Sequence, residues 1–243
     1  MIKLENYEVV GWEHAIRGMR NPMNSWEKSD SEKHLCPVDD CEKCFQPVEC
    51  GIAEKCDGLH IGNNDYDLMV RLRNAGTDHR KYMRMITIYV DITAPLYWWK
   101  EADTYKVGTV ANSCSTMHKI HAKEFTLDDF SHEHLDGFAY GVDLEEGITT
   151  NSEASHVLML VIKVLNNYRK DFIKTKDKRY FDNMIQLLPS SYNQKRTVML
   201  NYEVLANMYK SRKNHKLDEW HDFCDWIKEL PYSELITGEF EEE

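Results

Sequence analysis

Two short segments near the middle of the chain concentrate side chains that could bind an anion. Thr104, Tyr105 and Lys106 supply two hydroxyls and an ammonium. The donors that follow are Asn112, Ser113, Cys114, Ser115 and Thr116. Hydroxyls, amides and a cation suit a phosphate or the polar edge of a pyrimidine ring. The same pattern is also typical of a Ser/Thr loop that caps a helix, so a capping loop is the alternative interpretation.

A cluster of thiols is the second chemical signal. Its members are Cys36, Cys41, Cys44, Cys50 and Cys56. The Cys41-x-x-Cys44 pair matches one half of a structural zinc site, and four thiolates also suit an iron–sulfur cluster. In a reducing compartment such a cluster favours metal binding over disulfides. We predict one structural zinc held by four of the five thiolates, with a loop of free thiols as the alternative.

Two further cysteines, Cys114 and Cys224, stand apart from the cluster. Cys114 could act as a nucleophile toward a pyrimidine ring. Free cysteines are, however, among the most commonly buried residues. The pattern therefore favours a small buried thiol at Cys114 over a reactive one.

A basic patch follows Gly76 and consists of His79, Arg80, Lys81 and Arg84. Guanidinium groups clamp phosphates bidentately, so this patch is a second candidate for binding an anion. The alternative is a solvated turn between a helix and a strand, since charged side chains are usually exposed.

The composition limits the classes of partner. The chain has 243 residues and a net charge of −11, with 30 Lys and Arg against 41 Asp and Glu. Binding of duplex nucleic acid needs clustered cations, so we exclude that partner. The longest apolar run, residues 157–162, is too short to span a membrane, and the first residues lack a secretory apolar region. We expect a cytoplasmic protein.

Hydrophobic spacing predicts the elements that position these groups. Strands are expected at residues 3–10 and 85–92. Helices are expected at residues 12–19, 68–75 with Gly76 as its C-cap, 153–174, 178–188, 196–212 and 218–230. The helix at 153–174 is apolar over more than half its circumference, which predicts that it is buried. Residues 21–64, 109–118 and 127–150 are expected to be an inserted loop, a loop entering a helix and an exposed connection.

The C-terminal third resembles the last conserved block of the flavin-dependent thymidylate synthases. Here the block runs from Leu188-Pro189 through Asn201 and Asn207 to Arg212. Upstream, Gly76-Thr77-Asp78-His79 is similar to the family's Gly-His-Glu-Ser at a helix end. The resemblance implies an α+β fold with a small twisted antiparallel sheet and long C-terminal helices. It also implies one domain over residues 1–243, with a Cys-rich insertion at about 21–64.

The resemblance further implies a reaction and a site. The family converts dUMP to dTMP by reductive methylation, with reduced FAD supplying hydride, a folate supplying the one-carbon unit and NADPH reducing the flavin. Carried onto this chain, the catalytic residues are Arg212 and Ser115, and the cofactor-binding residues are Lys106, Asn201 and Asn207. Combined with the donor segments and the basic patch, the nucleotide-binding set is Arg84, Tyr105, Lys106, Asn112, Ser113, Ser115 and Arg212.

Several arginines of the family's motifs are replaced. Met117 and Glu203 stand where arginines are expected, and in the signature segment Lys106 alone could replace one. Two hypotheses follow. The first is a divergent enzyme that acts on a pyrimidine deoxynucleotide, by reductive methylation of dUMP to dTMP or by a related modification of the base. The second is a non-catalytic nucleotide-binding protein that kept the fold and lost the flavin site.

Assembly is the last property that the resemblance implies, since active sites in the family form between subunits of a homotetramer. We expect a homo-oligomer, with a tetramer as the form the family favours. Exposed aromatic side chains could supply the apolar interface. The candidates are Tyr97, Trp98, Trp99, Trp220 and Trp226. For Trp98 and Trp99 we favour a place in the core or in a subunit interface over a role as platforms on which a base stacks.

Overall fold

The structure is a computed structural model that describes residues 2–33, 59–135 and 153–240. Its α-helices are α1 (Trp12–Arg20), α2 (Asn63–Asn74), α3 (Leu96–Ala102), α4 (Thr116–Lys119), α5 (Glu153–Thr175), α6 (Lys178–Leu187), α7 (Tyr202–Arg212), α8 (Asp218–Lys228) and α9 (Glu234–Thr237). Its β-strands are β1 (Lys3–Val10), β2 (Glu32–Lys33), β3 (Leu59–His60), β4 (Thr87–Pro95), β5 (Val110–Ser113) and β6 (Asn193–Asn201). In these residues no helix is long and apolar enough to cross a membrane.

Four strands form a small antiparallel sheet in the order β1-β4-β6-β5. A second, two-stranded ladder joins β2 to β3, with Glu32 opposite His60 and Lys33 opposite Leu59. Long helices dominate the C-terminal part of the chain, where α5 alone has 23 residues. The predicted α+β fold is therefore confirmed.

The chain divides into two compact units. Unit 1 consists of the described parts of Met1–Leu4, Asp91–Thr104 and Ala111–Thr197. Unit 2 consists of the described parts of Glu5–Val90, Tyr105–Val110 and Val198–Glu243. Each unit has its own buried apolar residues.

The core of unit 1 is built on one face of α5. Leu158, Ile162 and Leu165 recur at helical spacing and pack in a cluster with Phe130 and Met184. The whole of α5 was expected to be buried, but its opposite side is exposed. Val157 and Leu160 are 58% and 55% exposed, respectively. The wide apolar circumference therefore supplies a core face and also an exposed apolar face.

The core of unit 2 surrounds Tyr202 at the start of α7. This side chain is fully buried, its hydroxyl donates to the Pro231 carbonyl, and its ring meets Trp12 edge-on at 5.2 Å. Burial raises the pKa of the Tyr202 hydroxyl well above its ordinary value. The phenol therefore stays neutral and serves as a buried hydrogen-bond donor.

The expected helix at residues 196–212 is wrong in its first third. Residues up to Asn201 form β6, in which Val198 and Leu200 are buried on alternate positions. The helix begins only at Tyr202, because the Asn201 side chain caps it by accepting from the Val204 amide at 3.0 Å. Apolar spacing in this stretch satisfies both a period of two and a helical period, and the cap decides between them.

Three expected loops also contain ordered elements. Residues 109–118 include β5 and the short helix α4. In the segment 127–150, Asp129, Phe130 and Ser131 are buried, so this part is no exposed connection. The described edges of the predicted insertion carry β2 and β3, and α2 already begins at Asn63.

Hydrogen bonds to one buried carboxylate tie the edges of the insertion together. Asp65 at the start of α2 is fully buried and accepts from Arg20 Nε at 2.6 Å. It also accepts from the hydroxyls of Ser29 at 2.6 Å and Ser31 at 2.7 Å. In return, Asp30 accepts from the Asp65 amide at 3.1 Å. This reciprocal network fixes the entry and exit of the insertion at one point of unit 2.

Candidate functional site

In unit 2, Arg212 in the last turn of α7 is held between two aromatic rings. Its Nε donates to the Tyr105 hydroxyl at 3.0 Å. Its guanidinium carbon lies 4.8 Å from the centroid of the Trp220 ring and 5.6 Å from that of Tyr105. Both distances are within the range of cation–π attraction. Because Trp220 is fully buried, the guanidinium rests on a fixed surface and is oriented before any ligand arrives.

The segment that carries Tyr105 is fastened to the start of α7. Asn201 Nδ2 donates to the Gly108 carbonyl at 3.5 Å, while Asn201 Oδ1 caps the helix. Gly108 has φ +82°, and a Cβ there would lie 2.9 Å from Asn201 Nδ2. Glycine is therefore required for both the left-handed backbone and the close approach. Asn201 thus links the two chain segments that bring Tyr105 and Arg212 together.

One residue of the basic patch, Arg80, forms an ion pair inside unit 2. Arg80 Nε lies 2.8 Å from Glu203 Oε2, and the two side chains are 14% and 9% exposed. Arg80 Nη2 also donates to Asn207 Oδ1 at 3.4 Å. Glu203 occupies the position where the family resemblance calls for an arginine. Beside Glu203 the guanidinium is that of Arg80, which the Glu203 carboxylate and the Asn207 amide of α7 orient.

The other predicted cations of unit 2 are exposed. Lys106 follows Tyr105, and Arg84 ends the short 3-10 turn Lys81–Arg84. Both side chains are exposed and therefore accessible to an anion. Their part in binding stays a prediction.

The predicted donors of unit 1 lie around β5 and α4. Asn112, Ser113 and Ser115 are exposed. Ser115 is the N-cap of α4, and its hydroxyl accepts from the His118 amide at 3.0 Å. The capping interpretation of this segment therefore holds for Ser115. Roles in catalysis or binding for these three residues remain predictions.

The thiol of Cys114 is exposed, which corrects the expectation of a buried one. Cys114 directly follows β5, an edge strand whose four residues are all exposed, and its amide donates to the Lys195 carbonyl at 2.9 Å. Cys224, on α8 in unit 2, is the buried thiol. Burial, followed by the charge of Asp225, raises its pKa to about 11. Cys224 is therefore a packing residue.

Sequence reasoning missed an arginine site in unit 1. Arg196 Nη1 lies 2.7 Å from Asp103 Oδ1, and its Nε donates to Gln194 Oε1 at 3.0 Å. Its guanidinium carbon stands 4.1 Å from the centroid of the Trp99 ring. Because residues 196–201 were expected to be helical, alternation along β6 was the signal that could have placed Arg196 beside Trp99.

The thiol cluster at Cys36, Cys41, Cys44, Cys50 and Cys56 lies outside the described residues. Within residues 2–33, 59–135 and 153–240, no group of three or more His, Cys, Asp or Glu side chains could hold a metal. The predicted zinc therefore stays a prediction about the insertion alone.

The fold is that of the flavin-dependent thymidylate synthases. The chain is similar to ThyX, a flavin-dependent thymidylate synthase from Helicobacter pylori complexed with FAD and dUMP, at TM-score 0.61 and 17% identity, with 98% of both chains covered. A second structure of that enzyme with FAD and dUMP gives 0.60 and 15%, covering 98% and 97%. PolB, a UMP/dUMP methylase from Streptomyces cacaoi bound with 5-Br dUMP, gives 0.57 and 12%, covering 98% and 94%.

No family model and no curated protein sequence matches the chain. At 12–17% identity the structural likeness establishes the fold, whereas function has to be argued from the residues of the site.

Proposed function

We propose that this protein binds a pyrimidine deoxynucleotide and modifies its base, with reductive methylation of dUMP to dTMP as the reaction. The observation that carries this proposal is the fixed guanidinium of Arg212, held by Tyr105 and Trp220. All three structural neighbours above were solved with dUMP or a brominated dUMP, which supports the choice of ligand.

The family resemblance places Arg212 at the base rather than at the phosphate, and the chemistry of its side chain fits that position. A guanidinium is planar and presents paired N–H donors, which match the carbonyl oxygens on a pyrimidine edge. When the ring is attacked or reduced, negative charge develops on those oxygens, and an oriented cation stabilises it. The Tyr105 hydroxyl contributes by fixing the guanidinium, and exposed Lys106 supplies a cation for the phosphate.

The described residues fit FAD only in part. Asn207 is exposed and offers amide hydrogens to a flavin. The Asn201 carbonyl oxygen is committed to the helix cap, and Glu203 adds a carboxylate where the resemblance places an arginine. In this fold, flavin would supply hydride, a folate would supply the one-carbon unit and NADPH would reduce the flavin. We assign no step of the reaction to these cofactors in this chain.

A second candidate is a nucleotide-binding protein without catalytic activity. The Arg80–Glu203 pair favours it, because the Arg80 guanidinium is committed to the Glu203 carboxylate and the pair therefore offers no net positive charge to a flavin phosphate. Nucleotide binding through Arg212 needs no flavin. A protein of this second kind would therefore still bind a pyrimidine deoxynucleotide at Arg212.

Absorbance and product analysis separate the two candidates. The purified protein is mixed with FAD, desalted and scanned for a flavin band, and then assayed for conversion of dUMP to dTMP with methylenetetrahydrofolate and NADPH. A retained band and dTMP formation that is lost in Arg212→Ala support the enzyme. A colourless protein that binds dUMP supports the binder, and a protein that binds neither ligand contradicts both.

Two further features belong to the proposal. We infer a homo-oligomer, with a tetramer as the expected form, because α5 presents the exposed apolar residues Val157 and Leu160. Four of the five aromatic residues first considered for this interface are unsuitable, since Trp98, Trp99, Trp220 and Trp226 are buried within the chain, whereas Tyr97 is half-buried. We also infer one zinc per chain on the cysteine insertion, and elemental analysis of protein purified without chelator tests it. A zinc content near zero rejects the inference.

A further inference from the structure

A cleft of about 530 Å³ opens in unit 2 beside α1 and the segment that follows it. Its walls include Ile16, Arg17 and Arg20 of α1, together with Trp26 and Leu59. Its volume is within the range of small-molecule sites, which are clefts of roughly 300–1,000 Å³. The walls combine apolar, aromatic and cationic groups with the side chains of Ser29 and Ser31 and one carboxylate, that of Glu13. No part of the proposed nucleotide site at Arg212 contributes to them.

Arg20 is a buried cation in the wall of this cleft. Only 3% of the residue is exposed. Its Nε donates to Asp65 at 2.6 Å and its Nη1 to the Ser25 carbonyl at 3.2 Å. Its Nη2 is buried and has no hydrogen-bond partner among the described residues. Leaving a buried donor of a charged group unpaired is unfavourable, and an oxyanion is the acceptor that satisfies a guanidinium best.

Trp26 supplies an oriented aromatic surface. Its indole Nε1 donates to Asn21 Oδ1 at 2.8 Å, which fixes the ring. Even so, the residue is 49% exposed. A tryptophan whose polar atom is satisfied and whose ring faces solvent is a platform on which a planar ligand can stack.

Arg17 adds a second cation at the mouth of the cleft. It lies three residues before Arg20 on α1, a spacing that places two side chains on the same helix face. Arg17 is exposed, so it can move toward a ligand, whereas Arg20 is held by Asp65. The pair therefore offers one adaptable and one fixed guanidinium.

We propose that this cleft is a second ligand site, which binds a planar heteroaromatic molecule carrying an oxyanion. The ring stacks on Trp26, and the oxyanion is bound by Arg17 and Arg20. Phosphate and carboxylate are both oxyanions that arginine pairs with, so a nucleotide and a folate-like compound share the chemistry required here. The proposal is independent of the proposed reaction, because it shares no residue with the Arg212 site.

Calorimetry tests this site with two probes, AMP for the phosphate and folic acid for the carboxylate. The variants are Trp26→Ala and Arg17→Ala, because both residues are exposed and neither truncation opens the core. Arg71→Ala is the matched control, an exposed arginine of α2 outside the cleft, and Arg212→Ala controls for the other site. At least one probe should bind the wild type, and each cleft variant should weaken that binding about 10-fold or more.

Binding must be unchanged in Arg71→Ala and in Arg212→Ala. The probe that binds identifies which oxyanion the cleft prefers. If neither probe binds the wild type below about 1 mM, the proposal is wrong. It is equally wrong if Trp26→Ala and Arg17→Ala bind as tightly as the wild type, or if Arg212→Ala abolishes the binding.

Discussion

Arg80 and Glu203 form an ion pair in which Nε and Oε2 are 2.8 Å apart, although the residues are separated by 123 positions in sequence. The pair joins the turn before β4 to the first turn of α7 within unit 2. Both side chains are largely buried, so the carboxylate depends on the guanidinium for its stability.

Removal of one partner of this pair should destabilise the protein. We expect Glu203→Gln to lower the free energy of unfolding by about 3 kcal/mol, the lower end for a broken buried ion pair. The double variant Arg80→Gln/Glu203→Gln should lose less than the sum of the single losses, by more than about 1 kcal/mol. Urea unfolding measures the free energy of unfolding of Arg80→Gln, of Glu203→Gln and of the double variant. The exposed pair Lys178–Asp182 is the control, and there Asp182→Asn should cost under about 0.5 kcal/mol. Additive losses at Arg80 and Glu203 would contradict the coupling.

The buried carboxylate of Asp65 should make stability depend on pH. Burial raises its pKa, but the hydrogen bonds from Ser29, Ser31 and Arg20 outweigh that effect and hold the pKa below its ordinary value. A lowered folded-state pKa stabilises the fold above the unfolded pKa of about 3.9, and this contribution is lost as the pH falls through the folded pKa. Asp65→Asn should therefore be less stable than the wild type at pH 7, by a margin that shrinks below about pH 4.

Unfolding in urea between pH 7 and pH 2.5 measures this margin for Asp65. Asp67→Asn is the control, because Asp67 lies on the same helix and is exposed. If the stability difference between the wild type and Asp65→Asn stays constant over the whole pH range, the hydrogen bonds to Asp65 do not favour its ionised form, and the prediction is wrong.

The two isolated thiols should differ in reactivity. Alkylation needs the thiolate and access to it. Because Cys114 is exposed, and because burial raises the pKa of Cys224 to about 11, iodoacetamide at pH 8 should modify Cys114 in the native protein and spare Cys224. Mass spectrometry of the tryptic peptides measures both. Cys224 should react after denaturation, and its rapid modification in native protein would contradict the burial.

The exposed apolar face of α5 should mediate assembly. Leu160→Glu places a charge on that face, so we expect it to dissociate the homo-oligomer. Light scattering should give a multiple of 28.7 kDa for the wild type and a smaller mass for the variant. Asn183→Glu, at an exposed position of α6, should leave the mass unchanged. A wild type that is monomeric at micromolar concentration rejects the interface.

Long helices were predictable because their apolar period persists over several turns. The prediction for residues 153–174 misses the observed α5 by one residue, since its pattern extends over six turns. The strand-to-helix change at Asn201 was not predictable from spacing alone. Met199, Leu200, Val204 and Leu205 fit one continuous helix as well as they fit a strand followed by a helix. A capping hydrogen bond decides between them.

The partners of the site residues were less predictable than the residues themselves. Arg212 was identified because its spacing from Asn201 and Asn207 matches the last conserved block of the family that the chain resembles, and such spacing is local information. Its contact with Tyr105 spans 107 positions, and that of Arg196 with Asp103 spans 93. Such pairs depend on how distant segments pack, and no local pattern encodes that.

Binding of dUMP to Arg212 is the central claim, and calorimetry tests it most directly. The wild type should bind dUMP, and Arg212→Ala should weaken binding about 10- to 150-fold, the effect of losing one charge-assisted hydrogen bond. Tyr105→Phe keeps the ring and removes the hydroxyl, so its effect should be smaller. Lys210→Ala, an exposed change in the same helical turn, should have none. If dUMP, dTMP and dCMP all fail to bind below about 1 mM, or if Arg212→Ala binds as well as the wild type, the nucleotide site is not at Arg212.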